Sequence, residues 1–93
     1  MTVEQEIAQR NEAVDTEIAR LNKAVDAFAV VMKEKLSKKA AEGFRGWDKP
    51  VFRRNVVSVL IKHANLVEFD PAQAVDIANF AMMLWYLQQQ EGA

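Results

Sequence analysis

The sequence predicts an all-α protein, with one long N-terminal helix followed by a two-helix hairpin, assembled as an oligomeric helical bundle. Three observations carry this. Only three Gly and two Pro interrupt 93 residues, and helix formers such as Ala, Glu, Lys and Gln are abundant. Apolar residues recur at spacings of three and four, which is the period of a helix face. No segment shows the alternation of a half-buried strand. A chain of this length makes a single domain, 1–93, in the size range where association often supplies burial that one small core cannot.

The first helix is predicted over 3–42, where neither Gly nor Pro occurs. Ile7, Val14, Ile18, Leu21, Val25, Phe28 and Met32 form a heptad seam, with Asn11 at the one skipped position. At 1.5 Å per residue such a helix is about 60 Å long, roughly twice the width of so small a domain. Its first half therefore cannot bury its seam within the same chain. Ile7, Asn11, Val14, Ile18, Leu21 and Val25 are the expected oligomer interface, in a dimer or larger assembly. An Asn at such a position either sets register and strand number or lies at a frayed end.

Gly43 is placed to end this helix in the left-handed region, and Gly46 permits a second bend before Trp47. In the loop over 43–50, Asp48 is a candidate cap for the next helix, with Pro50 in its first turn. That helix is expected to reach about Phe69, with Phe52, Val56, Val59, Leu60, His63, Leu66 and Val67 as its apolar stripe. Asp70, Pro71 and Gln73 read as cap, first helical position and third helical position of the last helix. It is expected to end near Gln90, with Ala74, Ile77, Ala78, Ala81, Met82, Leu84 and Trp85 facing the core and the tail from Gln88 fraying. The cluster of Met32, Met82, Met83, Trp85 and Tyr86 reads as core or interface.

Composition narrows the chemistry. With no Cys and a single His63, disulfides, thiolate metal sites and a zinc site built on His are excluded. No apolar run approaches the roughly 20 residues of a membrane span, and the N-terminus is unlike a targeting peptide. A cytoplasmic protein with no membrane partner is expected, in the host cytoplasm if the chain is phage-encoded. The net charge of −1 hides a strong asymmetry. Residues 1–32 carry six acidic against three basic side chains, while 33–62 carry nine basic against three acidic, about +6. Such a basic middle attracts phosphates, or else forms a solvated helix end that complements the dipole.

Two segments carry a more specific signal. FAVVMKEKLSKKAAEGFRGW over 28–47 and AVDIANFAMML over 74–84 resemble the MazG-like all-α nucleoside triphosphate pyrophosphohydrolases, in particular small phage and prophage dATP/dGTP diphosphohydrolase-like proteins. The resemblance covers about the last two-thirds of the chain and leaves out the acidic N-terminal segment before Ala27. It implies a site of four carboxylates, Glu-x-x-Glu on one helix and Glu-x-x-Asp on the next. Positions three apart share a helix face, so two such pairs chelate Mg²⁺, which bridges phosphate oxygens and activates water. Here Gln73 and Asp76 stand in the second pair, and Lys62 and Asn65 fall near the first. Only Asp76 remains as a metal candidate, and Lys62 brings positive charge to a cation site.

The resemblance therefore implies a degenerate member that binds or sequesters a nucleoside phosphate, such as a nucleotide signal, without efficient hydrolysis and without a resident cofactor. The candidate ligand residues are Lys35, Lys38, Lys39, Arg45, Trp47, Lys62, Asp76 and Asn79. The lysines and Arg45 would hold phosphates, and Trp47 would stack on a base or anchor its loop. Lys62 would replace the metal at a phosphate or pair with Asp76. Asn79 would contact ligand or make an interhelical hydrogen bond. One alternative is an oligomeric interaction protein whose basic face binds a host protein or nucleic acid. Another is a residual Mg²⁺-dependent hydrolase completed across subunits by Asp76 and Glu68.

Overall fold

The computed structural model describes residues 2–68 and 70–92. Three helices follow in order, α1 (Val3–Ala41), α2 (Pro50–Ala64) and α3 (Ala72–Gly92), and no strand occurs among the described residues. No described helix is long and apolar enough to cross a membrane. The chain divides into two compact units, Met1–Val30 and Val31–Ala93, with the division inside α1.

In the first unit, α1 starts from a reciprocal cap. The Gln5 amide donates to Thr2 Oγ1 at 3.1 Å, and the Thr2 amide donates to Gln5 Oε1 at 2.8 Å. This is a Thr-x-x-Gln capping box, legible in the sequence and worth about 1 kcal/mol. Glu4 and Glu6 in the first turn complement the dipole. Arg20 and Glu17 form an exposed pair one turn apart at 2.9 Å, of the kind that contributes about 0.3–0.5 kcal/mol. The seam is open to solvent. Ile7, Val14, Ile18, Leu21 and Val25 are each about half exposed or more.

The second unit holds the last turns of α1 and the α2–α3 hairpin. A Schellman motif closes α1. The Phe44 amide donates to Lys39 O at 3.0 Å and the Gly43 amide to Ala40 O at 3.1 Å, with Gly43 at φ +96°. The apolar contact that usually accompanies this motif is replaced by Lys39 Nζ, 4.9 Å from the centre of the Phe44 ring. A Cβ added at Gly43 meets nothing within 4 Å, so Gly43→Ala carries backbone strain alone. The expected loss is about 1–2 kcal/mol, read as a lowered urea midpoint with an unchanged slope.

Gly46, at φ +84°, turns the chain back, and the Lys49 amide closes that turn on Gly46 O at 3.1 Å. The cap of α2 is Lys49 and not Asp48, and no side chain caps it. Pro50 occupies the first helical position, which leaves Asp48 one residue too far upstream to reach the orphan amides. The helix also ends earlier than expected. After Ala64 the chain tightens into turns, with Leu66 donating to His63 O and Val67 to Ala64 O. Phe69, the expected end, lies outside the described residues. Asp70 caps α3 as expected, accepting from the Ala72 amide at 3.1 Å and from Gln73 Nε2 at 3.2 Å.

Val56 is completely buried, and Met83 and Leu87 nearly so, with Phe52 stacked on Phe80 at 6.4 Å between ring centres. The inward face of α3 differs from the expected one. Trp85 is 60% exposed and Ala81 is exposed, whereas Asn79, Met83 and Leu87 are buried. Apolar residues surround nearly the whole circumference of α3, so period alone does not select a face. The helix also continues through Gly92 where fraying was expected from Gln88. Ala93 lies outside the described residues.

Candidate functional site

A cleft of about 610 Å³ opens within the second unit, bordered by the last turns of α1, the 43–49 loop, α2 and α3. Six of the eight expected ligand residues line it, namely Lys35, Lys39, Arg45, Trp47, Asp76 and Asn79. Lys38 and Lys62 do not, and both are exposed.

Each group is placed by simple local geometry. Lys35 and Lys39 are four residues apart on α1 and share a face. Arg45 and Trp47 lie on the loop that the two glycines shape. Trp47 meets Tyr86 of α3 edge to face, with ring centres 5.1 Å apart, so the indole anchors the loop on the hairpin while also lining the cleft. On α3, Asp76, Asn79, Phe80 and Met83 follow at i, i+3, i+4 and i+7 and point into the cleft together. Phe52 and His63, eleven residues apart on α2, return to one face after three turns.

The polar groups form a connected set. Lys35 Nζ lies 3.7 Å from Asp76 Oδ1, and His63 Nδ1 lies 3.8 Å from Asp76 Oδ2. His63 Nδ1 also hydrogen-bonds Gln73 Oε1. Because that oxygen only accepts, Nδ1 is the donor of this bond. The cation beside Asp76 is thus Lys35 and not Lys62, which replaces the expected pairing. Lys62 lies on the solvent side of α2, one residue from His63 and so about 100° around the helix. Lys39 is held more loosely, 3.5 Å from Glu42 with both side chains about 40% exposed. A surface pair of this kind is worth well under ~1 kcal/mol and yields readily to a better anion.

Asn79 stands apart. It is 4% exposed, its Nδ2 donates to Met32 O at a long 3.4 Å, and its Oδ1 has no hydrogen-bond partner. A buried orphan acceptor costs about 1–3 kcal/mol, so folding alone does not favour it. The interhelical hydrogen bond expected of Asn79 is present, but it satisfies half of the amide.

The remaining walls are apolar. Phe44, Phe52, Phe80, Met82 and Met83 supply most of the surface. Sequence reasoning took Phe52, Met82 and Met83 as core or interface and assigned Phe44 and Phe80 no role, although the i, i+3, i+4, i+7 pattern from Asp76 to Met83 was there to be read. Phe44 could have been found as the residue after the glycine that closes α1.

The donor set does not fit a hydrolytic Mg²⁺ site. Among the described residues Asp76 is the one carboxylate lining the cleft, with an ammonium beside it. Asn65 is exposed at the end of α2, and the described residues contain no group of three metal-ligating side chains. Mg²⁺ demands near-octahedral oxygen coordination, usually anchored by carboxylates. No family model, curated protein or solved structure matches this chain.

Proposed function

We propose that the cleft binds a nucleoside phosphate and does not turn it over, as a degenerate relative of the MazG-like pyrophosphohydrolases. The observation that carries this reading is the juxtaposition of an aromatic, largely apolar slot with Lys35, Lys39 and Arg45. A base is flat and apolar on its faces but carries hydrogen-bonding edges, so it suits a slot in which Asn79 is the one buried polar side chain among the described residues. Phosphates suit cations that are only weakly engaged elsewhere. Arg45 offers a bidentate fork, and Lys35 and Lys39 act as point charges.

Asp76 provides the sharpest test. In a binding protein its carboxylate repels phosphate and holds Lys35 back, so Asp76→Asn is expected to raise affinity about three- to tenfold, the scale of one partly screened charge contact. In a hydrolase the same change abolishes turnover. Calorimetry with a panel of deoxynucleoside triphosphates and cyclic nucleotides, run in a metal chelator, measures the affinity. Anion-exchange analysis of nucleotide recovered from a parallel incubation with Mg²⁺ shows whether it was consumed. Lys35→Ala/Arg45→Ala is expected to weaken binding at least tenfold. Failure of the whole panel to bind refutes the reading, and pyrophosphate release with Mg²⁺ replaces it with catalysis.

We also propose that the chain self-associates through the seam of α1. Its support is the row of Ile7, Val14, Ile18, Leu21 and Val25, all exposed, on a stretch of helix that no other described element buries. Helices draw most of their stability from packing of an apolar face. Light scattering at tens of micromolar is expected to give a mass of more than one copy.

A further inference from the structure

We infer that the α1 helices of two copies pair parallel and in register, with Asn11 of one copy against Asn11 of the other. This rests on the self-association reading above and adds to it a strand number, an orientation and a register. In heptad terms Asn11, Ile18 and Val25 occupy the a positions, and Ile7, Val14, Leu21 and Phe28 the d positions. Ile18 and Val25 at a with Leu21 at d match the two-strand pattern, while Ile7 and Val14 at d do not. The strand number therefore rests on Asn11, since a single Asn at an a position specifies register and oligomer state.

Orientation follows from Asn11. In an antiparallel pair every a residue faces a d residue of the partner, so Asn11 would lie against Ile7, Val14, Leu21 or Phe28 whatever the register. Each of those choices buries an amide against hydrocarbon with no partner. Only the parallel, in-register pair sets the two Asn11 side chains side by side, where each amide has a donor and an acceptor to exchange.

The flanking charges agree. Arg10 is at a g position and Asp15 at the following e position, and in a parallel pair each g residue faces the next e residue of the partner. That geometry gives two Arg10–Asp15 attractions and places Glu17 beside the neutral Asn22. The antiparallel register that lays Ile7 against Val25 instead opposes Glu17 to Glu17 and Asp15 to Asp15. The antiparallel register one heptad away, with Ile7 against Ile18, avoids that repulsion and exchanges the Arg10–Asp15 pairs for two Arg10–Glu17 pairs. Like every antiparallel register it strands Asn11, which therefore decides the orientation. Arg10, Asn11 and Asp15 are all exposed in the single chain, as groups awaiting a second copy must be.

The chain has no Cys, so single labels are specific. Full-length Ile7→Cys is expected to oxidise to a disulfide-linked dimer, because parallel pairing sets the two residues in one layer. The antiparallel registers that lay Asn11 against Val14, Leu21 or Phe28 separate them by at least about 16 Å along the axis, at ~1.5 Å per residue, beyond disulfide reach. The one that lays Asn11 against Ile7 overlaps only the segment before Ile18 and leaves Ile18, Leu21 and Val25 unpaired. Should Ile7→Cys weaken association, a spin label at the exposed Glu6→Cys reads the same geometry. A parallel pair gives a short distance set by the coil width, and antiparallel pairing with Asn11 against Val14, Leu21 or Phe28 adds about 20 Å or more of axial offset. A two-copy mass with cross-linking and a short label distance supports the inference. A two-copy mass with offset labels overturns the orientation and leaves self-association standing. A three-copy mass overturns the strand number, and a single-copy mass at 100 µM overturns both readings.

Discussion

Replacing Asn79 with Leu is expected to make the unliganded protein more stable and the nucleotide complex weaker. Asn79 is almost fully buried, with one long hydrogen bond to Met32 O and one oxygen that bonds to nothing. Leu has the same branched outline and no polar atoms to satisfy, and the adjoining cleft gives its bulkier methyl groups room, so removing the orphan acceptor returns about 1–2 kcal/mol against the small loss of a 3.4 Å contact. For a domain of this size that is a rise in Tm of several degrees, at roughly 4–8 °C per kcal/mol. If the amide meets the edge of a bound base, the same substitution removes the one buried polar contact of the slot. Nucleotide affinity then falls at least tenfold, because a site built to hydrogen-bond a group discriminates strongly when that group loses its partner. Thermal unfolding and calorimetry on the same preparation check both halves. A lower Tm makes Asn79 a structural residue that specifies how α3 meets α1. An unchanged affinity removes it from the binding site.

The second large effect belongs to the other unit. Leu21→Glu is expected to abolish self-association and to unfold much of the helix before Val30, leaving the hairpin intact. Burying a Leu is worth about 1.5–3 kcal/mol. Two copies lose it together, and each gains a carboxylate that association would bury. The sum corresponds to more than a hundredfold in association constant, at 1.4 kcal/mol per decade. Light scattering should report a single-copy mass, and far-UV circular dichroism a loss of helix confined to the first unit. Because the cleft lies wholly within residues 35–83, nucleotide affinity per chain should persist in this variant. Loss of binding together with association would mean that the site needs a second copy.

Legibility in the sequence differed sharply between local and tertiary features. The absence of strand patterning, the uninterrupted stretch to Glu42, the Gly43 stop and the Asp70 cap are all determined within a few residues of chain. All were read correctly to within a residue. The Asp48 cap was misread because Pro50 at the first helical position leaves room for one residue fewer. The misreading of α3 has a different origin. Where Ile77, Phe80, Met82, Met83, Leu84, Trp85, Tyr86 and Leu87 nearly encircle a helix, its inward face is chosen by what it packs against.

That Lys35, Lys39, Arg45 and Trp47 border one cleft was legible because lysines one turn apart and a glycine-shaped loop gather charge locally. Lys35 as the partner of Asp76, the orphaned Asn79 oxygen and the aromatic walls were not legible, since each depends on residues tens of positions apart. What the sequence by itself determined is the set of helices, their ends, the open seam and the charge asymmetry, all properties of short-range backbone sterics and periodicity. Only the tertiary structure decided which cation neutralises Asp76, which face of α3 turns inward and that a cleft lies between them. Those outcomes are settled by through-space packing and electrostatics, which neighbouring residues in the chain do not encode.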